Sequence, residues 1–172
     1  MQRVFNGSTP KTGGNSALLG DMTLEHSLRA HPFTFGLPED QMRELAGLAS
    51  RAAFAPDEVV IADGQRSKAC YLLLDGSVAV ELSTPRLTVC VQVVGAGGMF
   101  GWSAFLEEQD TLFQVRARER TTVLRLDGER LAAACYAQPE MAAELLRRTL
   151  RVVAGRVKAT EAIFAQFCGV KV

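Results

Sequence analysis

Metal chemistry has almost nothing to work with in this sequence. It has two histidines, His26 and His31, both near the N-terminus, and four cysteines, Cys70, Cys90, Cys135 and Cys168, spread so widely that none forms a Cys-x-x-Cys pair. Without ligands at short spacing, no metal site is expected. Cys70 and Cys90 fall inside apolar strand-like runs, where cysteine acts as a small core side chain. Cys168 alone is placed to crosslink two chains, and only under oxidising conditions. An excess of charge of either sign is also missing: nineteen Lys and Arg balance nineteen Asp and Glu, so no overall field draws nucleic acid or anionic lipid. No apolar run approaches the roughly 20 residues that span a bilayer, and the first residues lack the charged-then-apolar pattern of a secretory signal. Those absences place the chain in the cytoplasm, away from membranes. No nucleophile is paired with a base, and Glu107, Glu108 and Asp110 read as a solvated polar loop, so an enzyme is not expected.

What is present is a chain of 172 residues, enough for one domain with a complete core. Residues 1–23, with Gly7, Ser8, Thr9, Pro10, Gly13, Gly14, Asn15 and Ser16, read as a flexible tail that buries too little apolar surface to offset its ordering entropy. From Leu24 the pattern changes. Leu28, Phe33, Phe35 and Leu37 precede a helix opened by Pro38 and Glu39, with Met42, Leu45, Ala46 and Leu48 at helical spacing.

Short apolar runs follow, each closed by turn residues: 51–55, 58–62, 69–74, 77–83, 87–94, 114–119 and 121–126. Asp63-Gly64 and Asp75-Gly76 each predict a tight hairpin, because both central positions of that turn need positive φ. Val78 and Val80, then Val89, Val91 and Val93, have the period of two that buries one strand face. Strands at this even spacing, without helices between them, predict an antiparallel barrel or jelly roll.

Gly95 to Gly98 supplies three glycines in four residues, followed by Phe100-Gly-Trp-Ser-Ala-Phe105. This reads either as a Gly-rich turn between strands or as a cradle of backbone N–H groups for an anion, and the order of flanking elements favours the cradle. From Asp127 the chain turns helical, with Asp127 capping a short helix and Pro139-Glu140 opening a long one to about Cys168. On the long helix Leu146, Leu150, Val153, Val157, Thr160, Phe164 and Phe167 alternate spacings of four and three, a heptad seam that needs an apolar partner. Leu145, Val152 and Ile163 give a second stripe, while Arg147, Arg148, Arg151, Arg156, Lys158 and Glu161 lie off the seam. Two stripes suggest two neighbours: the chain's own barrel, and a second copy in a homodimer. The alternative packs the whole helix on its own barrel.

This order of elements resembles the cyclic nucleotide-binding domain family over about Phe33 to Phe167. The likeness is carried by Phe54-Ala-Pro-Asp-Glu-Val-Val-Ile61, Asp63-Gly64, Tyr71-Leu-Leu-Leu-Asp-Gly-Ser-Val-Ala-Val80 and Gly98-Met-Phe-Gly101. It implies an α+β, mainly β fold: a double-stranded β-helix (jelly-roll) β-roll with an N-terminal helix and a long C-terminal helix. Residues 24–138 would form the roll with its lead-in and short helix, and 139–172 the dimerisation helix. In the family a glutamate follows Phe-Gly and takes the ribose 2′-hydroxyl; here Trp102 stands there. An arginine for the cyclic phosphate, followed by Ser or Thr and Ala, would fall on Thr111 or Leu112, counting back from Val115-Arg116-Ala117. Neither replaces a bidentate, permanently charged donor. Arg116 and Arg118 lie in the next strand-like run and read as a solvated face.

The resemblance thus implies a degenerate cassette, with Gly101, Trp102, Ser103, Ala104, Thr111, Leu112 and Phe113 as candidate ligand-binding residues. The expected function is a stand-alone regulatory module, not a cAMP binder in the usual sense, that answers a small ligand and signals through its dimer helix. The alternative is a ligand-free docking module plugged by Trp102, Phe105 and Phe113. No cofactor is expected beyond a cyclic nucleotide or other small ligand; haem, bound by some relatives, would need His or Cys at the pocket. The family's DNA-reading members add on the order of 60 residues after the long helix. This sequence ends at Val172, so DNA binding by the chain alone is not expected.

Overall fold

The computed structural model describes residues 24–65, 67–106 and 111–169. The expected tail at 1–23, the loop carrying Glu107, Glu108 and Asp110, and the closing Val170, Lys171 and Val172 lie outside them. Residues 24–30 are helical (α1), and α2 is Glu39–Leu48. Strands follow: β1 (Ala49–Phe54), β2 (Val59–Ile61), β3 (Ala69–Asp75), β4 (Ser77–Ser83), β5 (Thr88–Gly95) and β6 (Met99–Phe100). A 3-10 helix at Trp102–Phe105 precedes β7 (Gln114–Ala117) and β8 (Thr121–Asp127), and the chain finishes with α3 (Gly128–Ala137) and α4 (Pro139–Phe167).

Among the described residues the strands make two antiparallel sheets of four, in the orders β1-β8-β3-β6 and β2-β7-β4-β5. They face each other as a jelly roll. The core between the sheets holds Ile61, Tyr71, Leu73, Val78, Val80, Phe100, Val115 and Val123. The alternate residues of β3 and β8, Cys70, Leu72, Leu124 and Leu126, point out of the roll into a second core with Leu28, Met42, Leu45, Leu131, Met141 and Leu145 from the helices. β3 is therefore apolar on both faces, which explains its unbroken run of apolar residues.

Two expectations need correction. Asp75-Gly76 joins β3 to β4, and Asp63-Gly64 joins β2 to β3, but each pair of strands belongs to different sheets. These are corners between sheets, not hairpin turns. Gly76 is nonetheless required: its φ is +84°, and a Cβ there would lie 2.5 Å from the Arg120 carbonyl oxygen. The hairpin of this region joins β4 to β5, closed by reciprocal backbone bonds between Thr84 and Leu87.

The second correction concerns β5. Its register shifts between the pairs Val80 with Gln92 and Glu81 with Cys90, a bulge at Val91 that reverses the side-chain alternation. Val91 and Val94 are buried while Val93 is 47% exposed, so the expected period-two face of Val89, Val91 and Val93 does not hold. Cys90, expected in the core, is exposed; Cys70 is buried, and burial pushes its thiol up to about 12.

The helix caps follow local chemistry. Asp127 accepts a hydrogen bond from the Arg130 backbone N–H at 3.2 Å, and Pro139 opens α4. Leu145 and Val152 of α4 pack into the helix-side core. Leu150, Phe164 and Phe167 of the seam are at least two-thirds exposed, and Leu146 and Val157 about half. No described helix is long and apolar enough to cross a membrane.

Candidate ligand site

Gly101 sets the position of the site. It follows β6, whose Phe100 stacks on Tyr71 with centroids 4.8 Å apart and planes at 9°. Gly101 then turns the chain with φ +75°. A Cβ there would lie 2.5 Å from the Ala69 carbonyl oxygen and 2.9 Å from Tyr71 Cδ2, so no other residue fits without moving β3. That turn carries the chain into the 3-10 helix and puts Trp102 and Ser103 at the mouth of the roll.

Opposite them, the segment before β7 is shaped by Thr111. Its hydroxyl accepts from the Phe113 N–H at 3.1 Å and donates to the Phe113 carbonyl at 3.2 Å, while its own carbonyl accepts from the Gly64 N–H at 2.7 Å. Thr111 is thus a turn former whose polar groups are already engaged. Between the two segments lies a cavity of about 220 Å³ lined by Ile61, Gly101, Trp102, Ser103, Thr111, Leu112, Phe113, Val115 and Arg156. Six of the seven candidate residues meet there. Ala104 is a buried residue of the 3-10 helix and is not among the lining residues; Leu112, 75% exposed, stands at the rim. Phe105 packs with the helix-side core and borders a different depression with Cys135, Tyr136 and Leu146.

Sequence reasoning missed Arg156. It comes from the middle of α4, and its guanidinium lies over Trp102 at 5.9 Å from the ring centroid. Its Nε faces Gln92 Oε1 of β5 at 3.4 Å, and its Nη2 is sealed from solvent with no hydrogen-bond partner among the described residues. Burial lowers its pKa from the ordinary guanidinium value, though arginine stays protonated at neutral pH. Of the described residues that line the cavity it alone carries a charge. The signal was available: the inward face of α4 reads Leu145, Thr149, Val152, Arg156, Ala159, Ile163, and an arginine on that stripe is out of place. Arg116, by contrast, pairs with Glu81 at 3.3 Å and donates to the Asp57 carbonyl at 2.8 Å, away from the lining.

A family model described as the cyclic nucleotide-binding domain matches residues 51–137. A protein of Rhodopseudomonas palustris, provisionally named a potassium channel protein, is 32% identical over 99 residues, 58% of this chain and 23% of that relative. The match thus spans under a quarter of the relative's length. A cyclic nucleotide-binding domain from Methylobacillus flagellatus superposes with a TM-score of 0.73 at 18% identity, covering 86% of each chain. The regulatory subunit of a cAMP-independent protein kinase A from Trypanosoma brucei gives 0.68 at 22% identity, over 89% of this chain and 53% of that one. The latter is also known as a mutant, with a glutamate and a valine changed to alanine and a threonine to arginine, bound to cAMP in its A site.

Proposed function

Because the chain belongs to the cyclic nucleotide-binding domain family, we propose that it is a regulatory module that senses a small ligand other than cAMP and passes the occupied state to a second copy through α4. The observation that carries the reading is the open cavity beside Trp102: its wall holds an indole and the engaged hydroxyl of Thr111 where a carboxylate and a guanidinium would grip sugar and phosphate. Each missing charge-assisted contact is worth about 1.5 to 3 kcal/mol, so the pair costs cAMP roughly a hundredfold or more in affinity. The trypanosomal kinase subunit supports the guanidinium half of this logic, since its cAMP-bound mutant has gained an arginine at the expense of a threonine while losing a glutamate.

A docking module plugged by its own side chains is the weaker reading, because Trp102 and Phe113 wall the cavity rather than fill it. Signalling through α4 is supported by its two faces. Leu145 and Val152 hold it to the roll, while the exposed Leu146, Leu150, Val157, Phe164 and Phe167, with Val153 and Thr160 between them, present a heptad seam to a partner.

A thermal-shift screen with cAMP, cGMP and a metabolite panel tests the sensing role. A ligand at a hundred times its Kd should raise Tm by roughly 5 to 10 °C in a chain of this size. No shift is expected from micromolar cAMP. An upward shift with it would defeat the reading of Trp102 and Thr111.

A further inference from the structure

On the sensing reading above, we infer that Arg156 is the anion anchor of this cavity, and that the ligand is a small aromatic anion, an aryl carboxylate or aryl phosphate, held from the long helix rather than from the roll. Four observations converge on it. Arg156 supplies the only charge among the described lining residues, and it is positive. Its Nη2 is sealed from solvent and has no hydrogen-bond partner among the described residues, a costly state for a buried cation.

Two arginines of α4 have a carboxylate: Arg147 and Arg148 share Glu144, at 2.6 and 2.5 Å. Arg156 has only the amide oxygen of Gln92, a neutral acceptor at the long end of hydrogen-bond distance. The remaining walls give the shape of the ligand's body. Ile61, Trp102, Phe113 and Val115 are apolar, and two of them are aromatic, so they favour a flat ring next to the charged group. At about 220 Å³ the space falls below the ~300 to 1,000 Å³ of pockets for drug-sized ligands, which suits a single ring better than a nucleotide.

The placement of the charge has a consequence for signalling. Every other described lining residue belongs to the roll, so a ligand gripped by Arg156 bridges the roll and α4 directly. Arg156 also neighbours Val153 and Val157 along the helix, so one turn of α4 carries both the ligand contact and the seam. A bound anion stabilises the arrangement in which α4 lies against Trp102 and Gln92, which is the differential contact a two-state response requires.

The test uses the full chain and the fluorescence of Trp102, its sole tryptophan. Benzoate, phenyl phosphate and the neutral isostere benzamide are titrated in parallel against the wild type, Arg156→Gln and Arg156→Lys, each checked for native circular dichroism. The expected result is that at least one anion binds the wild type about tenfold or more tightly than benzamide. Arg156→Gln should erase that preference and Arg156→Lys should keep part of it. Whichever of benzoate and phenyl phosphate binds more tightly identifies the anionic group. Equal binding of anions and benzamide, or a preference that survives Arg156→Gln, overturns the anchor while leaving the cavity a ligand site. No saturable binding by any of the three at millimolar concentration overturns both the anchor and the sensing reading.

Discussion

Arg148 of α4 donates from Nη1 to the Phe33 carbonyl oxygen at 2.6 Å and to that of Phe35 at 3.0 Å, while its Nε pairs with Glu144 at 2.5 Å. The guanidinium is thus a pin between the long helix and the loop after α1, and its side chain is only 15% exposed. Arg147, beside it, makes two bonds to the same carboxylate, but half of its side chain is in solvent. Exposed pairs of that kind contribute little, whereas removing the donor from the part-buried Phe33 carbonyl costs about 1 to 3 kcal/mol. Urea denaturation should therefore show Arg148→Ala destabilised by that amount and Arg147→Ala changed by less than about 0.5 kcal/mol. Equal effects from the two variants would remove the pin.

His31 sets a pH dependence. It is 3% exposed, its Nδ1 accepts from the Phe33 N–H at 3.2 Å, and its Nε2 meets the Leu73 carbonyl oxygen at 3.3 Å. That pair of contacts fits the neutral ring protonated on Nε2; a second proton on Nδ1 would face a donor. Burial lowers its pKa from 6.5, against the opposing pull of the Leu73 and Gly98 backbone bonds. A depressed folded pKa means that the unfolded chain takes up the proton first on acidification. Stability contributed by the neutral ring is complete above pH 6.5 and declines below it, by at most about 1.4 kcal/mol per pH unit. Denaturation midpoints measured from pH 7.5 to 5 should fall for the wild type, and His31→Gln should flatten that slope. An identical slope in both would assign the pH dependence elsewhere.

The roll was legible in the sequence wherever the signal is local. Ser77–Ser83, the Asp127 cap and the Pro139 start of α4 follow from alternation, capping chemistry and fixed φ. Misreadings came where a distant contact decides. Asp75-Gly76 has hairpin chemistry, but β3 pairs with β8 and β6, so the turn became a corner. One extra residue at Val91 reversed the exposure of Val93, and nothing in the composition of β5 marks a bulge, whereas Cys90 faces out simply because it alternates with Val89 and Val91. Of the candidate site, both segments around the cavity could be read from the order of strands. Arg156 was marked only by its place on the Leu145, Val152 and Ile163 stripe, and what it faces depends on which part of the roll that stripe covers, here Trp102.

The seam on α4 makes its own claim. Seven positions from Leu146 to Phe167 keep heptad spacing, and Leu150, Phe164 and Phe167 expose 67, 69 and 73% of their surface in the single chain. Such a stripe is stable in water only against a partner, and an isologous contact with a second copy supplies one of matching length. Sedimentation should give a dimer for the wild type and a monomer for Val153→Glu with Val157→Glu, with the circular dichroism of the roll retained. A wild type that sediments as a monomer defeats the seam.

Rebuilding the cassette separates the scaffold from its chemistry. Trp102 and Thr111 flank one cavity, so restoring a carboxylate at the first and a guanidinium at the second returns both charged contacts that cAMP lacks here. Thr111→Arg gives up the hydroxyl bonds to Phe113, at about 1 kcal/mol of stability, yet it sits half-buried on the wall. Leu112→Arg keeps those bonds, but a side chain 75% exposed at the rim leaves its charge in water. Trp102→Glu with Thr111→Arg should therefore gain cAMP affinity about a hundredfold or more over the wild type, and Trp102→Glu with Leu112→Arg much less. Calorimetric titration of cAMP into both double variants decides the slot. If both stay silent, the Gly101 turn does not present a phosphate cradle, and the weak cAMP binding proposed above would rest on the backbone rather than on Trp102 and Thr111.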